Sequence, residues 1–495
     1  MSLFARKPIA ELLASEGTEQ SLKRVLGAGD LIMLAIGAVI GAGIFGAIGT
    51  AAAGQVGPDG QVIRYGAGPA LILSFVLLGG ACALAGLCYA ELASMIPQAG
   101  SAYAYSYATL GEFVAWIIGW DLILEYAVGN VAVAISWGDY FNTLMRGFGI
   151  ELPVHFTTGY RTALLSANPA VNGLIDSAPR IAGIPILVNI PAFAIVMLIT
   201  WLLLRGARES SQANRLMVIV KLIALALFIG AGLTAINPVN YTPFAPNGFT
   251  GIHQGAAIVF FAYIGFDAIS TAAEETRNPQ RNLPIGILGG LAICTLIYVV
   301  VGIVLTGMVP YSELAVADPL ARALELTGFT RVGWIVALGA IFSMSTVLLV
   351  FQYGQPRIFF AMARDGLLPQ WAARVDAKTR IPYMTTLVTG VLVAVASLIG
   401  DAAETYDLTN IGTLFAFALV CAGVLVLRVK EPNRERPFKV PMAWVIAPLG
   451  VAACVFIMVG LPPQAWVRFG WWLIVGMLIY GFYGYRHSKL RAQQR

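Results

Sequence analysis

The chain has 495 residues, 58% of them hydrophobic and only 12% charged, with a formal net charge of +5. That charged fraction is about half the usual value for soluble domains, and with a mean hydropathy of +0.78 it excludes a water-soluble globular protein. It also excludes nucleic acid as the reason for the basic excess, because Lys and Arg fall in short segments between hydrophobic stretches.

Residues 1–28 are polar, with Arg6, Lys7, Glu11, Glu16, Lys23 and Arg24. They lack the short apolar core and small-residue cleavage site of a secretory signal and read as a cytoplasmic head. A membrane span needs about 20 mostly apolar residues. Twelve such stretches follow, at 29–54, 68–96, 111–141, 186–205, 213–236, 251–275, 284–308, 332–360, 383–400, 409–428, 442–460 and 470–485. The expected fold class is an all-α polytopic membrane protein with 12 transmembrane helices. Lys and Arg collect on the cytoplasmic side of a membrane. With the N-terminus inside, 23 of the 31 basic residues fall in cytoplasmic segments, 7 fall in outer ones, and Lys221 lies within span 5. Both termini are therefore expected in the cytoplasm. Residues 55–67 and 142–185 become long outer segments, loops with short interfacial helices. Residues 429–441 read as a charged hinge between ten core helices and a terminal pair.

Span 1 carries Gly37-Ala38-Val39-Ile40-Gly41-Ala42-Gly43-Ile44-Phe45-Gly46. Gly costs about 1 kcal/mol relative to Ala in a helix interior, and backbone groups freed in hydrocarbon cost several kcal/mol unless something satisfies them. The run predicts a helix broken at bilayer depth, where an ion or substrate would supply the missing partners. The alternative, that these glycines only permit close helix packing, stays open here. In span 3, Glu125 lies one turn from Asp121. Glu125, nearer the midplane, is the candidate for lining a polar cavity or carrying protons, against a purely structural role. Lys221 in span 5 has no carboxylate within a helical turn in sequence. An ionisable residue inside a span costs about 2.5 to 3.5 kcal/mol even on the lenient insertion scale and is a functional hypothesis by default. Snorkelling is the competing reading, since the cytoplasmic interface near Asn214 is roughly 10 Å away by helical rise.

Span 6 runs Phe260-Phe261-Ala262-Tyr263-Ile264-Gly265-Phe266-Asp267-Ala268. Many secondary transporters are built from two halves of inverted topology with broken helices at matching positions, so span 6, the first helix of the second half, is expected to unwind near residues 262–265. The organisation becomes a first repeat over 29–236 (spans 1–5), a second over 251–428 (spans 6–10), a terminal pair over 442–485 and a cytoplasmic tail from 486 to 495. Cys82, Cys88, Cys294, Cys421 and Cys454 sit singly in apolar runs, without metal-ligand spacing. The scattered His155, His253 and His487 make no metal site either. Tyr103, Tyr105 and Tyr107, with Trp471 and Trp472, read as interfacial anchors. Glu274 and Glu275 with Arg277 and Arg281 read as a cytoplasmic gate or a solvated face.

These residues together resemble the amino acid, polyamine and organocation transporter superfamily, and within it the bacterial branch similar to cationic amino acid transporters. The resemblance is carried by Gly37 to Phe45, by Phe261 to Asp267 with Glu274-Glu275-Thr276-Arg277-Asn278-Pro279, and by Arg364-Asp365-Gly366, and it covers nearly the whole chain. It implies the five-plus-five inverted repeat with discontinuous helices 1 and 6 and two further C-terminal helices. It also implies a secondary transporter working by alternating access, spans 1, 2, 6 and 7 rocking against spans 3, 4, 8 and 9. A carboxylate would meet the amides of Ala42 and Gly43, and an ammonium the carbonyls of Val39, Phe261, Ala262 and Ile264. A hydroxyl residue is common in the family where this chain has Ala42. Lys221 would stand where other members hold a sodium ion, touching carbonyls near Gly41 and hydroxyls such as Ser345 or Thr346. Phe351 resembles a specificity position whose bulk would favour small side chains.

The implied function is proton-coupled symport of small neutral L-amino acids such as alanine. The alternative is uptake or exchange of cationic amino acids or polyamines, for which Glu125 would be the anionic partner. A channel or an intramembrane enzyme is set aside for want of a filter motif, a nucleophile–base pair or a metal cluster. No cofactor and no sodium are expected, the proton being the coupling ion. The expected partners are an amino acid substrate and membrane lipid, not nucleic acid, with a small accessory membrane subunit left open. The expected location is the bacterial inner (plasma) membrane.

Overall fold

The computed structural model describes residues 4–8, 26–96, 101–205, 211–267, 269, 276–376 and 381–493. Among these residues the chain is helical throughout, apart from two small hairpins in outer segments. Glu274 and Glu275 lie outside the described residues. In chain order the helices are α1 (Ala28–Val39), α2 (Ile48–Ala53), α3 (Leu71–Met95), α4 (Ser101–Thr109), α5 (Glu112–Gly147), α6 (Ile190–Leu204), α7 (Ser211–Leu233) and α8 (Gly248–Val259). They continue with α9 (Pro279–Met308), α10 (Pro319–Leu326), α11 (Thr330–Arg364), α12 (Tyr383–Ile399), α13 (Ala402–Lys430), α14 (Ala443–Val459), α15 (Pro463–Ile479) and α16 (Lys489–Gln493). Seven helices are long and apolar enough to cross a membrane, and the pair around the span 1 glycines, bent by 48°, makes an eighth. Helices α6, α12 and α14 are apolar but shorter. They fall on expected spans 4, 9 and 11, and α8, also short, falls on span 6.

The packing inverts the rule for water-soluble proteins. Lys221, Asp121, Asn410 and Thr413 are buried, while Leu296, Trp444 and Val467 lie on the outer surface. Lipid is as apolar as leucine, so helices gain by joining polar groups to one another in the interior. Every ion pair among the described residues also joins residues expected on the same side of the membrane. Arg6–Glu431, Lys7–Asp365, Arg428–Glu91, Arg434–Glu431, Arg436–Glu91 and Arg491–Glu112 belong to the cytoplasmic set; Arg64–Asp407, Arg161–Glu404, Arg322–Glu325 and Arg468–Glu404 belong to the outer one.

Three sequence expectations change here. The outer segment 55–67 contributes a two-stranded hairpin, β1 (Gly54–Val56) with β2 (Val62–Tyr65), and a smaller hairpin pairs Arg180–Ile181 with Ile184–Pro185. The hinge at 429–441 is an anchored loop: the buried Glu91 at the end of α3 accepts from Arg428 at 2.9 and 2.5 Å and from the Val440 amide at 2.7 Å. Tyr103 and Tyr107 of the α4 cluster form a buried clamp, not a membrane belt. Tyr103 donates to Asp365 at 2.8 Å and Tyr107 to Glu112 at 3.2 Å, because a buried phenol needs a partner. Burial, with the Glu112 carboxylate beside it, pushes the Tyr107 phenol above its ordinary range. Trp472 stacks on Trp120 with ring centroids 4.4 Å apart, while Trp471 stays exposed.

Glu112 is the hub of that clamp. It accepts from Arg491 Nε at 2.7 Å, from Tyr480 at 2.9 Å and from the Ser488 hydroxyl, while its own amide donates to Ala5 at 2.9 Å. Both the N-terminal segment and the α16 region are thereby fastened to α5. Removing one member of a buried ion pair costs roughly 3–5 kcal/mol. Glu112→Gln is expected to lower the unfolding midpoint of the purified protein by several degrees in differential scanning fluorimetry; an unchanged midpoint would remove Glu112 from the stabilising network.

Candidate functional site

Helix α1 stops at Val39. Ile40 is extended (φ −76°, ψ 104°), a π-helical turn covers Gly43–Ala47, and α2 resumes at Ile48. The last carbonyls of a helix have no partners within it, and tertiary contacts supply them here. Ile36 O keeps its local helical partner, the Ile40 amide at 3.1 Å; beyond it Gly37 O accepts from Lys221 Nζ at 2.7 Å, Val39 O from the Tyr298 hydroxyl at 3.0 Å, and Ile40 O from Lys221 Nζ at 2.8 Å and Ser343 at 2.9 Å. Gly43 lies flat against Ala262: a Cβ there would stand 2.5 Å from both the nitrogen and the Cβ of Ala262.

Span 6 breaks earlier than expected. Helix α8 ends at Val259, a tight 3₁₀ turn covers Phe260–Tyr263, Ile264 is extended, and Gly265 takes φ +107° with its Cα against the Ala38 carbonyl. Only glycine adopts that φ at low cost. Two carbonyls before the turn, Ala257 and Ile258, accept from Asn410 Nδ2 of α13 at 2.8 and 2.9 Å. Ala262 O accepts from Tyr298 of α9 at 2.8 Å. A phenol has one proton, so Tyr298 divides it between Val39 and Ala262, two of the four carbonyls assigned to the substrate ammonium. Phe261, Ala262, Ile264, Val39, Ala42 and Gly43 are all buried at this junction.

The Lys221 side chain is wholly buried and reaches the broken end of α1, so it does not snorkel to the interface. A further contact is Thr346 Oγ1 at 3.4 Å. One expected neighbour changes. The carbonyls near Gly41 that meet the ammonium are those of Gly37 and Ile40, while Gly41's own O accepts from the Phe45 amide and its Cα packs on Val347. Ser345 turns toward α5, accepting from Trp137 Nε1 at 3.0 Å and donating to Ile341 O at 2.8 Å. Ser343 instead donates to Ile40 O, the carbonyl that Lys221 also meets. Residues three apart share a helix face, so Ser343 goes with Thr346 and Ser345 does not.

Phe351 of α11 is buried against α5, its ring 5.2 Å from that of Tyr126 and its edge over Gly129. Glu125, the residue before Tyr126 on α5, is buried as well. Asp121 is buried against Gly412, and neither of its carboxylate oxygens has a hydrogen-bond partner among the described residues. Tyr126 and Gly129 are thus the α5 residues that meet Phe351.

On the side expected to face outward, two layers of side chains cover the junction. Tyr140 donates to Phe45 O at 2.6 Å, Tyr406 and Ser136 share a hydroxyl contact of 2.5 Å, and the Tyr406 ring lies 4.6 Å from Phe261. Above them Arg64 of β2 pairs with Asp407 of α13. Sequence reasoning missed Tyr298, Asn410, Ser343 and Tyr406. A signal for two of them was available: Tyr406, Asn410, Thr413 and Phe417 follow one another at helical spacing and form one stripe of α13. No group of three or more His, Cys, Asp or Glu side chains that could hold a metal ion occurs among the described residues, and the five cysteines are free and buried.

Residues 26–482 match the family model described as amino acid permease. The chain is 44% identical over 490 residues to the branched-chain amino acid permease BcaP of Bacillus subtilis, covering 99% of both chains. It is 43% identical over 489 residues to the methylthioribose transporter of the same organism, again over 99% of each. It is 37% identical over 449 residues to the vacuolar cationic amino acid transporter 4 of Arabidopsis thaliana, covering 87% of this chain and 68% of that one.

Proposed function

Since the chain belongs to the amino acid permease family, we propose that it is a proton-coupled symporter of neutral aliphatic amino acids, working by alternating access in a bacterial plasma membrane with both termini inside. Spans 1–5 and 6–10 form the two inverted halves, and spans 11 and 12 the terminal pair. The observation that carries this reading is the buried Lys221 ammonium at the broken end of α1. The C-terminal end of a helix attracts cations, and a cation held there by protein cannot be exchanged for sodium. Loss of its proton would release α1, coupling the bundle to protonation. No sodium is needed.

The substrate carboxylate lies at the Ala42 and Gly43 amides. Its ammonium lies at the carbonyls of Val39, Phe261, Ala262 and Ile264, where it competes with the Tyr298 proton. The side chain faces Phe351 and the aromatic and aliphatic groups around it, a surface for an uncharged aliphatic group with alanine at the small end. The BcaP relative, named for branched-chain amino acids, fits that class.

Alanine and branched-chain amino acids are expected to raise the melting temperature of the purified protein, since a ligand stabilises the state it binds, and an inward pH gradient in proteoliposomes is expected to drive their uptake without sodium. A response to arginine, polyamines or methylthioribose alone, or uptake that follows a sodium gradient, would sink the reading. Phe351→Ser should widen the accepted set toward larger and cationic amino acids, read by competition against labelled alanine. An unaltered profile would take Phe351 out of the pocket.

A further inference from the structure

One unbroken helix supports the broken segment at several points. Along a single stripe, α13 sets Tyr406 against Phe261 with ring centroids 4.6 Å apart, Asn410 on the Ala257 and Ile258 carbonyls, and Phe417 against Phe260 and Phe266 at 5.8 and 4.9 Å. Asn410 is the polar member of the stripe that bonds α8 itself. It is wholly buried, and its amide orientation is set by chemistry: only an NH₂ can face two carbonyls at 2.8 and 2.9 Å. In an intact helix those carbonyls would accept from the amides of Phe261 and Ala262. The chain turns away there, and Asn410 donates in their place.

We propose that Asn410 is a positioning residue of the substrate site: by holding the end of α8 it sets where the Phe261, Ala262 and Ile264 carbonyls stand for the substrate ammonium. This rests on the substrate reading above. The amide does not touch substrate. It fixes the origin from which the unwound turn projects, so its loss is felt in substrate affinity. A bond that only held α8 to α13 would be felt in folded yield and in the number of active transporters.

The test uses purified full-length protein in proteoliposomes. Wild type is measured first with alanine and branched-chain amino acids; absence of saturable uptake would overturn the substrate reading, independently of Asn410. Given uptake, Asn410→Ala is expected to raise KM by about tenfold or more, with maximal rate per folded transporter changed by less than about threefold, a loss of binding rather than of turnover. Asn410→Asp keeps the shape, and its carboxyl can donate to one carbonyl only when protonated. Its KM is therefore expected to improve on acidification relative to wild type at each pH, and this variant decides the matter if the alanine variant fails to fold. KM within about twofold of wild type in a folded Ala variant, or an Asp variant whose KM tracks wild type across pH, would overturn the proposal.

Discussion

Lys221→Met is expected to abolish proton-driven accumulation. The substitution keeps the length and apolar stem of lysine but removes the ammonium donors from Gly37 O, Ile40 O and Thr346. An unsatisfied buried acceptor costs about 1–3 kcal/mol, and no water is at hand inside a bilayer to relieve it. Ser343 still serves Ile40 O, so the chief loss falls on Gly37 and on the cationic charge at the end of α1. In proteoliposomes an imposed pH gradient should give less than about a tenth of wild-type accumulation, a factor corresponding to roughly 1.4 kcal/mol. Exchange of substrate across the membrane without a gradient should survive, because the groups assigned to substrate are untouched. Accumulation that still responds to pH in the variant would remove Lys221 from the coupling step.

Gly43→Ala is the other large effect. The new methyl would stand 2.5 Å from both the nitrogen and the Cβ of Ala262 and still closer to its Cα. Two of those three atoms are backbone, so no side-chain rotation relieves the contact. Overpacking costs typically about 1–3 kcal/mol, and here the strain separates the two broken helices where the substrate must touch both. A misplacement of about 1 Å in an assembled site can cost on the order of 10²-fold in rate, and a loss of uptake of that order is expected. The control is Gly80→Ala on α3, where a Cβ meets nothing within 4 Å; its uptake should stay within about twofold of wild type, in the range of neutral surface changes. Equal behaviour of the two variants would show that the contact between Gly43 and Ala262 is not limiting.

The two breaks differ in how far the sequence could locate them. In span 1 four glycines within ten residues mark the site, and the helix does stop between Val39 and Gly43. In span 6 Gly265 marks a residue inside the irregular segment and not its start. The turn begins at Phe260 because Asn410, some 150 positions along the chain, supplies donors there. Lys221 was legible as a buried cation because an isolated charge in an apolar run is too costly to persist without a role. That Ser343, and not Ser345, joins it at Ile40 O required the helical phase of α11, where one residue of offset turns a side chain by about 100°. Tyr298 had no local mark at all: a tyrosine in an apolar helix is ordinary until the fold brings it to two carbonyls.

Composition and spacing along the chain by themselves determined the solvent, the number and order of apolar stretches, the charge asymmetry of their connections, the presence of two interruptions and a buried lysine. These are properties of each segment's own transfer free energy and backbone freedom, so each can be judged from nearby residues. Only the tertiary structure decided which further groups join Lys221 in satisfying the broken ends: Tyr298 and Ser343 at α1 and Asn410 at α8. A freed carbonyl in the interior of a membrane protein takes a donor from whichever helix packs against it, and the chain positions of that helix are set by the packing of the whole bundle.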